Sequence, residues 1–220
     1  MKQKCAKKAF EMIEPGMTIG FGGGATVALL IQELEQRSKK ITAVTPSLDT
    51  MELCIQRHIP VLPLEMASHI DLAFDGCDEL DYQLNALKSR GGIHTREKIT
   101  AAMATEYILL ADEGKLHKRL PFHVPVALEV LPSARSYLKA CLTDMGATVS
   151  ERRDSQKSGL TITDDGSYLM DASFPEPPDL LLLSDTLDRM PGIVGHSLFH
   201  RIASKAIIAR EQEIQILERT

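Results

Sequence analysis

The 220-residue sequence has few cysteines, no excess of basic charge and no long apolar run, and each shortage excludes something. The cysteines, Cys5, Cys54, Cys77 and Cys141, include no Cys-x-x-Cys pair, so neither a zinc knuckle nor a redox dithiol is indicated. Thiols scattered in this way fit a reducing cytoplasm better than a disulfide scaffold. The formal net charge of −5 gives no support for a nucleic-acid partner, which favours a basic face. The longest wholly apolar runs, such as Tyr107 to Ala111 and Leu180 to Leu183, are far too short to span a bilayer, so no membrane partner is expected. Met1 to Phe10 carries several lysines with no apolar stretch behind them, and does not read as a signal peptide. No internal repeat or low-complexity segment is present.

What is there is ordinary for a soluble globular chain: 44% hydrophobic and 25% charged residues. The spacing predicts a helix over 2–14, a strand over Met17 to Phe21 and a helix from Thr26 to Arg37 with Val27, Leu30, Ile31 and Leu34 on one face. A strand over Ile41 to Val44, a helix over Leu48 to Arg57 and strands over Ile59 to Leu64 and Ile70 to Phe74 follow. Arg96 to Ala104 reads as helix and Glu106 to Ala111 as strand. This alternation argues for a Rossmann-like parallel sheet with helices on both faces. The rhythm then changes. Val124 to Leu131 reads as a strand, and Ser133 as the cap of a helix running to Met145. Thr148 to Arg152 is a strand. Leu160 to Thr163 and Tyr168 to Ala172 flank an Asp164-Asp165-Gly166 turn. With a helix over Pro178 to Met190 and a strand over Gly192 to His196, the order is, apart from the extra hairpin, close to a ferredoxin-like β-α-β-β-α-β. Residues 124–200 therefore read as a smaller α+β domain, and 1–123 with 201–220 as the larger α/β domain, Lys205 to Ala209 returning a strand to the first sheet.

Chemistry concentrates between Asp75 and Lys98. The apolar run Ile70 to Phe74 delivers Asp75-Gly76-Cys77-Asp78-Glu79 to the carboxyl end of a strand, where open α/β sheets bind ligands. Lys88-Ser89-Arg90-Gly91-Gly92 follows, and Glu97 and Lys98 open the next helix. Charges of both signs among glycines suit a site that moves protons on a small polar substrate. Earlier, Gly20-x-Gly22-x-x-Ala25 lies between a strand and a helix. The acid that a dinucleotide site places about 20 residues on is missing, which disfavours a nicotinamide enzyme. A single phosphate at the helix N-terminus and a plain tight turn remain equal readings of that loop. The acids Asp75, Asp78, Glu79 and Asp81 could chelate a cation but lack EF-hand spacing; Glu79 and Asp81 read as a solvated turn. His196 and His200 stand four apart without the Glu of a zincin motif, so no metal site is assigned. His94 alone is thin evidence.

These segments resemble the type A ribose-5-phosphate isomerase family over nearly the whole length. Gly20 to Thr26 resembles its phosphate loop, and Asp75-Gly76-Cys77-Asp78-Glu79 its Asp-Gly-Ala-Asp-Glu. Lys88 to Lys98 resembles its Lys-Gly-Gly-Gly segment leading into Thr-Arg-Glu-Lys. Asp112 to Lys115 resembles Asp-x-Ser-Lys, Glu129 to Pro132 resembles Glu-Val-Ile-Pro, and Pro191 to Val194 with Leu198-Phe199 the late Pro-Gly-Val-Val and Leu-Phe. The resemblance implies interconversion of ribose 5-phosphate and ribulose 5-phosphate in the non-oxidative pentose phosphate pathway, with no metal or other cofactor, by a cytoplasmic homodimer or dimer of dimers. It implies Glu97 as the base moving a proton between C1 and C2 through an enediolate, Asp75 as an aid to ring opening and Lys88 as the cation opposite the enediolate oxygen. Substrate binding would fall to Gly23, Gly24, Ala25, Thr26, Asp75, Gly76, Cys77, Asp78, Lys88, Ser89, Arg90, Gly91 and Lys115.

The family's Gly-Thr-Gly-Ser-Thr is Gly22-Gly23-Gly24-Ala25-Thr26 here, its glycine run after the lysine is broken by Ser89 and Arg90, and the Ser before the late Lys is Gly114. The proton-moving positions match and the phosphate-binding ones have drifted. Two alternatives stand beside the pentose isomerase: an isomerase of a related sugar phosphate, and a non-catalytic sugar-phosphate-sensing domain. Retention of Glu97, Asp75 and Lys88 argues against the second, as does the lack of an N-terminal DNA-binding module.

Overall fold

The structure is a computed structural model and describes residues 1–154 and 158–219. In chain order it forms α1 (Lys2–Met12), β1 (Thr18–Phe21), α2 (Ala25–Gln36), β2 (Thr42–Val44), α3 (Leu48–Gln56), β3 (Ile70–Gly76), β4 (Glu79–Asp81), β5 (Ala86–Leu87), α4 (His94–Met103), β6 (Ala104–Asp112) and β7 (Leu116–His117). There follow β8 (Val126–Val130), α5 (Arg135–Asp144), β9 (Thr148–Glu151), β10 (Tyr168–Ser173), α6 (Leu180–Arg189), β11 (Ile193–His196), β12 (Leu198–Phe199), β13 (Lys205–Ala209) and β14 (Ile214–Glu218).

The largest sheet has the order β14-β13-β6-β3-β1-β2, parallel except for the β13–β14 pair. Strand alternation decides what each face can hold. Ile19 and Phe21 of β1 enter a core with α1 and α2, among Leu30, Ile31, Phe74 and Ile108. On the other face Gly20 must be glycine, because a Cβ there would stand 2.7 Å from that of Ala73 and 3.0 Å from Thr100 of α4. The chain leaves β1 for β2 on one side and returns to β3 on the other. That reversal puts the switch point, where such sheets bind ligands, between the carboxyl ends of β1 and β3.

The second sheet, β11-β8-β10-β9, is antiparallel and carries α5 and α6 in the ferredoxin-like order. It has its own core around Val126, Leu128, Leu138, Leu142, Met170 and Leu187. Burying each such aliphatic side chain is worth roughly 1.5–3 kcal/mol. Residues 155–157 of the segment 124–200 and residue 220 of the segment 201–220 lie outside the described residues.

The structure departs from the sequence reading in several places. Residues 59–64 are not a strand: Val61 makes one bridge to Ala43, and residues Leu64–Met66 form a 3-10 turn. Pro60 and Pro63 supply no N–H, so no ladder can propagate. Ser133 does not cap α5, because Pro132–Ala134 forms a 3-10 turn first and Ala134 takes the cap position with no side-chain bond. The Leu160 to Thr163 strand reduces to isolated bridges at Leu160 and Ile162, the hairpin being closed by Thr163 N–H to Ser167 O at 2.8 Å. A third sheet, β12-β5-β4-β7, escapes the sequence reading because its strands are two or three residues long, too short for a period. Strand β14, beyond the Lys205 to Ala209 strand, is also additional.

Candidate active site

A cavity of about 480 Å3 opens at the switch point. Its floor is set by β3, which carries Asp75 to the sheet's end. A Cβ at Gly22 would lie 1.9 Å from Asp75 Oδ1, so only glycine lets the carboxylate sit there. Gly76 N–H donates to Oδ1 at 2.7 Å and Tyr107 O–H, from β6, to Oδ2 at 2.9 Å. Lys88, just after β5, brings Nζ within 3.0 Å of Asp75 Oδ1 and 3.2 Å of Glu97 Oε1, and donates to Gly76 O at 2.6 Å. Glu97 lies in the first turn of α4. Three charged groups with side chains 8% exposed or less thus meet on one floor.

Burial sets their protonation. It pushes the Glu97 carboxyl up to about 8, helped by the Asp75 charge and opposed by Lys88. Burial works against the Lys88 ammonium, but the Asp75 and Glu97 carboxylates overcome it and hold its pKa above the ordinary lysine value. Burial likewise pushes the Cys77 thiol up to about 12, so it is a neutral wall rather than a nucleophile. His94 is fully buried, with Nε2 3.3 Å from Gly195 O; burial lowers its pKa to about 3, and it does not line the cavity.

Another wall is the N-terminus of α2, where free N–H groups favour an anion. Gly24 caps α2 at φ +98°, in the left-handed region that favours glycine, and no side chain caps the helix. The first N–H groups of α2 have no intrahelical partner, and Ala25, Thr26 and Val27 face the cavity. Lys2, Arg90 and Lys115 stand around it. Lys115 Nζ donates to Cys77 O at 2.6 Å. Arg90 has its Nε 3.4 Å from Asp78 Oδ1 but an 82% exposed side chain. Asp78 Oδ2 accepts from Ser89 N–H at 2.8 Å and Arg90 N–H at 3.1 Å, shaping the loop from Lys88.

All but one of the residues assigned to catalysis or substrate binding line this cavity: Gly23, Gly24, Ala25, Thr26, Asp75, Gly76, Cys77, Asp78, Lys88, Arg90, Gly91, Glu97 and Lys115. Ser89 does not; its hydroxyl faces inward, to Pro125 O and to Ser197 Oγ at 3.0 Å. Glu79 and Asp81 are not a solvated turn. Both are 3% exposed. Glu79 accepts from Phe122 N–H at 2.9 Å and Val124 N–H at 3.0 Å, and Asp81 accepts from Gln83 and Asn85. Burial requires such partners, and sequence shows the acids but not the amides that come to meet them. Lys2, Ser47, Asp164 and Tyr107 went unread. Lys2 is one of several lysines on α1, and Tyr107 sits in an apolar run far from Asp75, so neither carries a local signal.

A buried carboxylate–lysine–carboxylate cluster facing a helix N-terminus defines a proton-transfer site for a small anionic substrate in an open α/β protein. Comparison with known proteins narrows the class. A family model described as Ribose 5-phosphate isomerase A (phosphoriboisomerase A) matches residues 42–213. Another, the DeoR C terminal sensor domain, matches residues 1–64. Ribose-5-phosphate isomerase A of Pyrococcus abyssi is 38% identical over 224 residues, covering 100% of this chain and 98% of the relative. A solved structure of D-ribose-5-phosphate isomerase in complex with phospho-erythronic acid is 36% identical with a TM-score of 0.93, covering 99% of this chain and 97% of that one. The Methanocaldococcus jannaschii ribose 5-phosphate isomerase A structure gives 34% and 0.91 over the same shares. The chain belongs to the ribose 5-phosphate isomerase A family.

Proposed function

We infer that the chain is an aldose–ketose isomerase interconverting ribose 5-phosphate and ribulose 5-phosphate, acting in the pentose phosphate pathway. The observation that carries the mechanism is Lys88 Nζ held between Asp75 and Glu97 at 3.0 and 3.2 Å on the floor of a cavity walled by an anion cradle. The phosphate binds at the N-terminus of α2, with Lys115 and Arg90 beside it. Asp75 assists opening of the sugar ring. Glu97 then takes the proton from C2 of the open aldose, the electrons form the C1–C2 double bond and charge gathers on O1. The same carboxyl returns the proton to C1 while the O2 proton passes to O1, leaving the ketone. Lys88 is the fixed charge that the developing oxyanion meets, and a preorganised cation is worth most there. Glu97, raised by burial, is poised near working pH, as a general base should be.

The likeness to a sensor domain ends at residue 64, before Asp75, Lys88 and Glu97, so it offers no account of the cluster. Residues 1–123 with 201–220 supply the catalytic unit in this reading, 124–200 the smaller one, and the enzyme works in the cytoplasm as a homodimer or dimer of dimers. The test is a coupled isomerase assay across pentose and hexose phosphates, with and without exhaustive EDTA. Preferred turnover of ribose 5-phosphate, unchanged by chelator, is expected. Activity restored after EDTA by one divalent ion would make the acid cluster a metal site instead. Phospho-erythronic acid, the ligand of the solved relative, should compete with substrate.

A further inference from the structure

Asp75 is held at three points, two of which belong to the family's own motifs. The third is Tyr107. Its partner on β3 is Ala73, so its side chain stands on the same face as Asp75 and leans along β6 to reach it. The ring is 3% exposed and stacked on Phe199, centroids 6.0 Å apart and planes 24° from parallel. Ser204 N–H and Oγ–H pin the Tyr107 carbonyl at 2.9 and 3.2 Å. The phenol is thus fixed in place. Burial, with the charges of Asp75 and Glu97, pushes its pKa well above the ordinary tyrosine value, so it is a permanent donor.

The carboxylate needs that donor. The terminal torsion of aspartate is broad and roughly two-fold, so packing alone sets it poorly. Gly76 N–H and Lys88 both engage Oδ1. Tyr107 alone among the described hydrogen bonds engages Oδ2. Phenylalanine would fill the same space and keep the Phe199 stack, so packing does not require the hydroxyl.

We propose that Tyr107 is the positioning residue of Asp75, fixing the carboxylate plane for sugar-ring opening while leaving the proton shuttle of Glu97 untouched. The inference rests on the isomerase reading above. In the ring-opening step Asp75 takes the proton of the anomeric hydroxyl as the C1–O4 bond breaks, the aldehyde forms at C1, and the same proton passes to O4. The ketose needs no such step, because its phosphate blocks O5 and it stays open-chain. Exchange of its C1 hydrogen with solvent needs Glu97 and Lys88 but no ring opening by Asp75.

The experiment compares wild type and Tyr107→Phe in two assays. One is turnover of ribose 5-phosphate; the other is deuterium entry at C1 of ribulose 5-phosphate in D2O, followed by NMR. Tyr107→Phe should lower aldose kcat about tenfold, less than the roughly 10²–10⁴ that a whole acid–base group supplies, with KM changed less than about twofold, while C1 exchange stays within about twofold of wild type. In an Asp75→Asn background the same substitution should have no further effect, since coupled residues are not additive. A parallel fall in both assays would overturn the inference, placing Tyr107 in the enediolate step or in general folding. No change in either would reduce it to packing. A wild type inert in both assays removes the isomerase reading, and this inference with it.

Discussion

At one end of the cavity Asp75, Lys88 and Glu97 are buried and interlocked, with both carboxylates within 3.2 Å of one ammonium. At the other, the anion cradle is backbone N–H groups of α2 and cations at the rim, one of them, Arg90, 82% exposed. The two ends meet different demands. A proton shuttle must be held still and dry, because a fixed charge stabilises a developing one only if nothing has to reorganise when it appears. A phosphate arrives already charged, and a helix N-terminus with cations near it suffices to receive it. The resemblance divides along the same line: Asp75, Lys88 and Glu97 match the motifs quoted for the family, whereas Gly23, Ala25, Arg90 and Gly114 depart from them. Many arrangements of donors bind a phosphate, and few hold a base.

The largest break in this comparison should come at Glu97. Glu97→Gln keeps the shape and removes the proton acceptor, so kcat should fall at least about a hundredfold with KM near normal. Near-normal turnover in the variant would sink the assignment. The pH profile sharpens it. The base works only when deprotonated, and burial holds it up to about 8, so wild-type kcat/KM should fall as pH drops through that value. An ordinary glutamate would keep the rate flat down to about pH 5. Since Asp75 contributes to the rise, Asp75→Asn should move the acid limb to lower pH, read by C1 exchange on the ketose. A wild-type limb near pH 5 would show that burial does not tune Glu97.

Lys88 is next. Lys88→Met should lower kcat about a hundredfold, more than it raises KM, because its charge is most needed once the enediolate forms. It should also cost about 3–5 kcal/mol of stability in urea unfolding, since the buried Asp75 carboxylate loses its cation. A pure KM effect would move Lys88 to the phosphate end and erase the contrast.

How much of this could be read from residues alone follows the same division. The parallel sheet was legible because α2, β3 and β6 carry long, clean periods, and its glycines and acids fall where strands end. The stretch holding Asp75, Lys88 and Glu97 was legible from its mixed charges and glycines, but their separate roles came only through resemblance, since no spacing rule joins positions 75, 88 and 97. The burial of Glu79 and Asp81 was illegible: their partners, Phe122, Val124 and Asn85, are backbone amides brought by loops. Short strands such as β5 and β12 hold Lys88 and Phe199 in place yet have two residues each, below any period.

Arg90 tests whether the open end has compensated for its lost hydroxyls. Its contact with Asp78 is solvent-exposed, and exposed pairs are worth about 0–1 kcal/mol, so the guanidinium can leave it for a phosphate at little cost. Two parallel hydrogen bonds to phosphate oxygens would replace the donors missing at Gly23 and Ala25. Arg90→Ala should raise KM for ribose 5-phosphate about tenfold, roughly 1.4 kcal/mol, with a smaller change in kcat. An unchanged KM, or a sugar-phosphate complex with Arg90 far from the phosphate, would end the idea.

The smallest effect is expected at Lys2, where two physical demands conflict. The first turn of α1 carries Lys2 and Lys4 and no acid. The helix macrodipole disfavours cations there by about 0.3–1 kcal/mol. Lys2 nevertheless lines the cavity wall beside Gly23 to Val27. A bound anion there would offset the cost that Lys2 imposes on its own helix. Lys2→Ala should raise KM about threefold, roughly 0.7 kcal/mol, and leave kcat alone. The effect should shrink as salt is raised from about 0.05 to 0.5 M, because exposed charges are screened over a Debye length that falls below about 8 Å. Thermal melting should be unchanged or slightly raised, α1 having lost an unfavourable charge. A lowered melting temperature with an unchanged KM would make Lys2 part of the fold rather than of the cradle.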